Sequence, residues 1–459
     1  MGEKYLLKSS RIYDSEKRAL VPGVITVEDG KITDFAPNQT ELPENSGEYR
    51  VIDAGSDVIA PGFIDIHSHE DEFDETDKCQ VADDMIRMGV TTCIAGNCGG
   101  NYQPIPDFLE HIERYGISAN YVMFSGYNYK RDEHGLGIDI YMPCGKDERR
   151  KAAEAVMKDL ELGAVGMSLG LEYAPGVDVE EVVDVMNMIG RTDIPISIHI
   201  RDDKEASVKA VAEAIEISEK THLPVIISHI GSLAAYGQMR EVFRLIREAH
   251  ARGTEIYVDC YPYNAFATNI GSAVFDEKSI AEGKFTFDQM MFCTGPFTGK
   301  FCTDELYKLG REKYPDDLVV GFGMHEEDIC YAYSCPETMV SSDGWVTGEE
   351  GHPRTAGSFP RVLGKYVREE HVLTLEDALA KMTIMPAEVI GLSKKGRIAA
   401  GMDADLVIFD PDKIIDKADY THVNEPPEGI KMVMLAGHCA VVDNEIKGRY
   451  GVFIPRKDF

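Results

Sequence analysis

From residue 91 to residue 263 the chain repeats one pattern, a short apolar run rich in β-branched residues alternating with an amphipathic segment of helical spacing. TTCIAGN precedes IPDFLEHIERYG, and NYVMFSG follows it; KDERRKAAEAVMKDLELG leads to AVGMSLG, and VEEVVDVMNMIGRT to IPISIHI. KEASVKAVAEAIEISEKTH leads to PVIISHI, and MREVFRLIREAHARG to EIYVDCYPY. The helical segments place apolar residues on one face, whereas runs such as PVIISHI have the length and continuous apolarity of strands buried on both sides. A repeated βα unit of this kind requires a parallel sheet covered by helices. The period alone fits an open doubly wound sheet as well as a closed barrel. Polar residues tip the choice: His67, Cys98, His199, His229 and Asp343 stand at the ends of different strands, and a barrel gathers its site from strand ends at one face.

The flanks have another texture. Residues 4–59 read as short alternating strands with turn signals, and Glu28-Asp29-Gly30-Lys31 lies between two β-rich runs as a hairpin loop would. The same texture returns in GRIAAGMDADLVIFDP and GIKMVMLAGHCAVVDNE, so one small β-domain assembled from both termini is expected. Residues 268–325 break the βα rhythm with a long stretch rich in Gly and Phe. Loops beyond about 15 residues are usually functional or disordered, and the aromatics here argue for an ordered insertion over the mouth of the site.

Charge narrows the partners. Subtracting 79 Asp and Glu from 47 Lys and Arg gives −32, and no basic run offsets it. Such a surface repels phosphate backbones and anionic headgroups, which argues against nucleic acid and membrane partners. The 44% of hydrophobic residues in 459 is ample for a large core. The charged N-terminus lacks the apolar core of a signal peptide, and no run approaches the roughly 18 apolar residues of a membrane span. Ten cysteines without a Cys-x-x-Cys pair suit a reducing compartment, so a cytoplasmic protein is expected.

His67 and His69, in PGFIDIHSHED, follow an apolar strand-like run. Residues i and i+2 of a strand point the same way, which allows both imidazoles to share one metal ion. Cys98 stands in the glycine-rich turn IAGNCGG, and a thiolate is a strong Zn²⁺ ligand able to bridge two ions. His199 and His229 end β-branched runs in adjacent βα units. Each alone could be structural; together with His67, His69 and Cys98 they read as a metal centre. Asp343, in MVSSDGW, supplies the acid that a metal-assisted hydrolase needs for proton transfer. A carboxylate acting as a base near neutrality suggests an environment that raises its pKa.

These motifs, with GAVGMSLGLEYAPG, DCYPYNA, HPRTAGSFPRVLG and MTIMPAEVIGL, stand in the order and spacing of the N-acyl-D-amino-acid deacylases (D-aminoacylases) of the amidohydrolase superfamily, which the chain resembles over nearly its whole length. The resemblance implies an α/β fold, a deformed (β/α)₈ TIM barrel over residues 60–394 with the 268–325 insertion covering the site. Beside it would lie a small β-sandwich built from residues 1–59 and 395–459. It further implies one tightly held zinc on Cys98, His199 and His229. His67 and His69 would form a weaker second position sharing Cys98 and Asp343. AVGMSLG has no lysine to be carbamylated, and Cys98 would take the bridging place. Arg354, Tyr173 and Tyr261 would hold the substrate carboxylate, a task that suits the planar guanidinium fork. Family members commonly place a lysine where this chain has Gly231, so one charge of that clamp is missing. The leading expectation is a zinc-dependent hydrolase of N-acyl-D-amino acids. Its rivals are a cyclic-amide, ureido or N-carbamoyl hydrolase on the same scaffold, and a non-catalytic metal-binding protein.

Overall fold

A computed structural model describes residues 3–44, 46–71, 73 and 78–459. The βα repeat folds as parallel strands. β1 (Phe63–Asp65), β2 (Val90–Ala95) and β3 (Asn120–Met123) pair in one parallel sheet. β4 (Met167–Gly170), β5 (Ile196–His199), β6 (Val225–Ile227), β7 (Ile256–Cys260) and β8 (Thr338–Val340) follow in chain order in a second one, which Ser125–Gly126 extends beside β4. Nearly every residue of these strands is buried, which explains why the runs are apolar throughout rather than alternating.

The intervening helices begin and end where local chemistry says they should. In the helix Val179–Ile189, the Asp178 carboxylate accepts from the Glu181 backbone N–H at 2.7 Å, and Gly190 ends the helix at φ 69°. Backbone hydrogen bonds also cross the gaps between the two sheets. Val165 N–H donates to the Met123 carbonyl at 2.8 Å, and at the other side Asp343 N–H donates to the His67 carbonyl at 2.8 Å.

Strands from both termini share one nine-stranded sheet. Lys4–Asp14 and Ala19–Glu28 pair antiparallel, and Val58–Pro61 pairs with Leu406–Phe409 from the far end of the chain. The expected hairpin is present: Glu28 faces Lys31, and Asp29 and Gly30 take φ of 50° and 77°, the positive pair that matches the twist of flanking strands. Residues 265–322 hold a separate antiparallel sheet of Ala265–Asn269, Leu318–Phe322 and Met290–Phe292. Phe266, Phe275 and Phe285 pack together against it with ring centroids 5.3–5.9 Å apart. The aromatic content that argued against disorder is therefore this local core. No helix among the described residues is long and apolar enough to cross a membrane, and all ten cysteines are free.

Candidate metal centre

Five metal-ligand candidates and the acid lie together at or just beyond the C-terminal ends of β1, β2, β5, β6 and β8. Two overlapping groups of donor atoms form there, Cys98 with His199 and His229, and Cys98 with His67, His69 and Asp343; within each, the atoms lie within 4.8 Å of one another. Cys98 Sγ is 3.3 Å from His229 Nε2 and 3.4 Å from His67 Nε2. His69 Nε2 is 3.1 Å from Asp343 Oδ1.

Three of these residues are held in the left-handed backbone region, Cys98 at φ 56°, His229 at 31° and Asp343 at 50°. Such conformations cost about 1–3 kcal/mol each and persist only where the surroundings over-determine them. At Cys98 the surroundings are visible. Gly99 N–H donates to Ser168 Oγ at 3.1 Å, and Asn97 Nδ2 donates to the Ile94 carbonyl at 2.9 Å. A Cβ on Gly99 would meet Asn128 Oδ1 at 2.3 Å, so only glycine allows this turn to lie so close to its neighbour.

Residues that the sequence analysis did not single out lie against the candidate ligands. Asp259, at the end of β7, accepts from His229 N–H at 2.9 Å and from Ser341 Oγ at 2.6 Å, and its second oxygen lies 3.4 Å from His67 Nδ1. Asp65 accepts from the backbone N–H groups of His67 at 3.1 Å and Ser342 at 3.0 Å. Burial raises the Asp65 carboxyl to about 7 despite these bonds. Ser232 Oγ is 2.9 Å from His229 Nδ1. Glu172 Oε2 is 3.0 Å from His199 Nε2. The one available signal was position: Asp65 lies two residues before His67, Asp259 ends a strand, and Glu172 adjoins Tyr173.

Electrostatics make the centre a set of ready donors. Burial pushes the Cys98 thiol up, but the imidazoles of His67 and His229 outweigh it and hold the thiol well below its usual range. Burial lowers His69 and His199, yet the neighbouring groups lift both to about 9, Asp343 and Cys98 for His69 and Cys98 and Glu172 for His199. A half-buried thiolate among imidazoles at this spacing is a donor set suited to a soft or borderline cation such as zinc. His199 keeps Nδ1 buried without a hydrogen bond, as a ligand atom would be.

Asp343 corrects one expectation. Its carboxyl is held well below the ordinary carboxylate range: burial pushes it up, but the charge of Arg354, then His229 and His69, prevails. Arg354 Nη1 lies 2.9 Å from Asp343 Oδ2, a contact across an eleven-residue separation that only the fold reveals. Arg354 stacks over the Tyr261 ring at 4.8 Å, and its Nε is buried without a hydrogen bond. His352 Nδ1 accepts from the Arg354 backbone N–H at 3.1 Å, and burial with the adjacent guanidinium holds its pKa well below the usual value. Tyr173 packs its ring 4.5 Å from that of His199, and its hydroxyl is 3.3 Å from Thr268 Oγ1.

A cavity of about 480 Å³ opens onto this centre and is lined by His69, Cys98, Tyr173, Asp343 and Arg354, with Thr268 and other residues of the 265–322 segment on its outer wall. Gly231 does not line it. Gly231 is the second residue of a short buried helix, Ile230–Ala234, where a Cβ would meet Cys260 Sγ at 3.0 Å and Met324 Cε at 3.3 Å.

The amidohydrolase family matches residues 58–270 and 335–441. A D-aminoacylase of Alcaligenes xylosoxydans xylosoxydans is 32% identical over 427 residues, covering 84% of each chain. The chain belongs to the D-aminoacylase family of amidohydrolases. Among solved structures, the N-acyl-D-glutamate deacylase of Bordetella bronchiseptica, complexed with zinc and a phosphonate mimic of the tetrahedral intermediate, superposes with a TM-score of 0.86 at 26% identity, covering 99% of this chain and 100% of that one. A D-aminoacylase described by its binuclear metal centre, with one-metal activation and second-metal attenuation, gives 0.86 at 26% identity, covering 98% and 99%.

Proposed function

We propose that this family member is a zinc-dependent amidohydrolase that cleaves N-acyl-D-amino acids to a carboxylic acid and a D-amino acid. The observation that carries the reading is the convergence, in one cavity, of the Cys98–His199–His229 donor set with the Asp343–Arg354 pair. Cys98, His199 and His229 would hold the tight zinc, and His67 and His69 the weaker second position. When bound there, zinc supplies Lewis-acid activation of water and of the scissile carbonyl.

The chain's own residues supply the rest. Asp343 accepts the proton of the attacking water and returns it to the leaving amine, so that water adds across the C–N bond. Arg354, with Tyr173, receives the substrate carboxylate; Tyr261 is fully buried, does not line the cavity and supports the guanidinium from beneath. Arg354 now lies against Asp343, and sharing its charge with an incoming carboxylate weakens its hold on that residue. Substrate capture thereby makes Asp343 a stronger base when the reaction requires one. Arg354 is the only Arg or Lys lining the cavity among the described residues, whereas Asp132 and Asp316 also line it. Neutral substrate side chains are therefore favoured over acidic ones.

The finer architecture belongs to the same reading. The two parallel sheets form one deformed (β/α)₈ barrel over residues 60–394, a view supported by the backbone bonds joining β1 to β8 and β3 to the start of β4. Residues 1–59 and 395–459 form the β-sandwich. Tyr5, Leu7 and Ile25 share an apolar cluster with Leu406, Ile408 and Met434, as they would in a sheet folded on itself. The 268–325 insertion is the cover of the site.

Purified protein supplied with Zn²⁺ and assayed on matched N-acetyl-D-, N-acetyl-L- and N-carbamoyl-D-amino acids tests the proposal. Hydrolysis of the N-acetyl-D compounds with little turnover of the others is expected. Preference for the carbamoyl series, or for a cyclic amide, would replace it with the rival chemistry.

A further inference from the structure

Glu172 and Lys284 have no part in the chemistry above, yet both are tied to a metal ligand. Glu172 follows β4 and is 6% exposed. Its Oε2 meets His199 Nε2 at 3.0 Å, and its Oε1 accepts from Lys284 Nζ at 2.9 Å. The carboxylate is thus shared between one imidazole nitrogen and one ammonium. Lys284 comes from the insertion and also contacts Asp202 Oδ1 at 3.0 Å and Asp203 Oδ1 at 2.9 Å, both in the loop that leaves β5 just after His199. Lys204 closes the knot from the other side. Its ammonium donates to the Lys284 carbonyl and sits 4.1 Å from the centroid of the Phe285 ring.

We propose that Glu172 is a positioning residue for His199, and that Lys284 makes the insertion part of the metal centre's support. An imidazole has two nitrogens, and a ligand is useful only when the correct one faces the ion. A carboxylate accepting the N–H of one nitrogen fixes the tautomer and ring orientation that leave the other as the donor. Glu172 takes Nε2, and Nδ1 is the atom left buried without a hydrogen bond. Tyr173, packed against the same imidazole, limits rotation of the ring. Lys284 in turn fixes Glu172 by occupying its second oxygen. A lysine in the insertion therefore reaches the metal site through one carboxylate, which couples the placement of the insertion to the alignment of His199.

The inference rests on the zinc reading above, and metal affinity tests it without any substrate. Metal-free protein is titrated with Zn²⁺ against a chromophoric chelator, in the wild type and in Glu172→Leu, Glu172→Gln and Lys284→Met. Loss of such a ligand-orienting partner typically weakens metal binding roughly 10- to 100-fold. Glu172→Leu should fall in that range. Glu172→Gln, whose amide oxygen still accepts, should recover part of the affinity, and Lys284→Met should lose less than Glu172→Leu. The visible spectrum of the Co²⁺-substituted protein should change in Glu172→Leu, because the geometry at His199 changes. Variants that bind zinc and Co²⁺ as the wild type does, with only a lower Tm or a raised KM, would overturn the proposal and make Glu172 a structural or substrate-contacting group. A wild type that binds no zinc would instead defeat the parent reading.

Discussion

The two donor groups that share Cys98 differ in what their members do when no ion is counted. In the Cys98–His199–His229 group each histidine has an external partner, Glu172 for His199 and Ser232 for His229, and the donor atoms remain turned toward one another. Cys98 Sγ contacts a histidine of each group, His229 at 3.3 Å and His67 at 3.4 Å, and His67 has its own outside partner in Asp259; what sets the His67–His69–Cys98–Asp343 group apart is its carboxylate. Asp343 Oδ1 takes His69 at 3.1 Å and lies 3.5 Å from His67, while Oδ2 is committed to Arg354. The first group is preorganised for a cation. The second must break an ion pair to accept one, and the carboxylate it would recruit is also the proton carrier. Filling the second position would therefore compete with the proton-carrying role proposed for Asp343.

Breaking the first group should have the largest effect. Cys98→Ala removes the one charged ligand and should reduce both bound zinc and hydrolysis to background, checked by metal analysis and by amide turnover. A variant that keeps one equivalent of zinc would move the tight site elsewhere.

Asp343→Asn comes next. Zinc content should stay near the wild-type value while kcat falls roughly 10²- to 10⁴-fold, the scale of general acid–base contributions. Unchanged kcat would reduce Asp343 to a structural role.

Arg354→Ala should raise KM about 10- to 100-fold for substrates with a free carboxylate, because one charge-assisted pair is worth about 1.5–3 kcal/mol. It should also move the pH profile in a defined direction. In the proposed mechanism Asp343 works in its ionised form, and Arg354 holds its pKa down, so protonation of Asp343 itself sets in only as pH falls through that depressed range. Without Arg354 the pKa rises, and the acid limb of kcat/KM should shift to higher pH. A limb that stays in place would separate Arg354 from Asp343.

The second group offers a smaller effect. His69→Ala should leave the first equivalent of zinc in place and relieve inhibition by excess Zn²⁺, with kcat reduced less than in Asp343→Asn. Smallest is the side-chain preference. N-acetyl-D-glutamate should be poorer than N-acetyl-D-glutamine by about tenfold in kcat/KM, since Asp132 and Asp316 repel an added negative charge at the cavity wall.

That these side chains come together could be read from the sequence in part because the histidines follow strand-like runs. His199 and His229 end consecutive β-branched runs, and such runs place their ends side by side once the sheet is parallel. Glu172 and Asp259 were missed because a buried carboxylate in a strand-end loop has no periodic signature; its value comes from which imidazole the fold brings against it. The expected direction of the Asp343 pKa was wrong for the same reason. Burial alone would raise it, and the sequence does not reveal that Arg354 returns to lie against it. Gly231 shows the converse case. The missing lysine is plain in the sequence, but only the packing of Cys260 and Met324 against that position shows that the cavity wall runs elsewhere. In the fold, the Asp29–Gly30 turn was legible from two residues, whereas the pairing of Val58–Pro61 with Leu406–Phe409 joins segments too distant for any local signal.

The account stands most directly on one titration. Metal-free protein is supplied with Zn²⁺ in steps while N-acetyl-D-amino acid hydrolysis is followed at fixed pH. Activity should rise linearly, reach its maximum at one equivalent and fall or level off beyond it, with no such rise in Cys98→Ala. A maximum reached only at two equivalents, or full activity without zinc, would contradict the division of labour between the two groups.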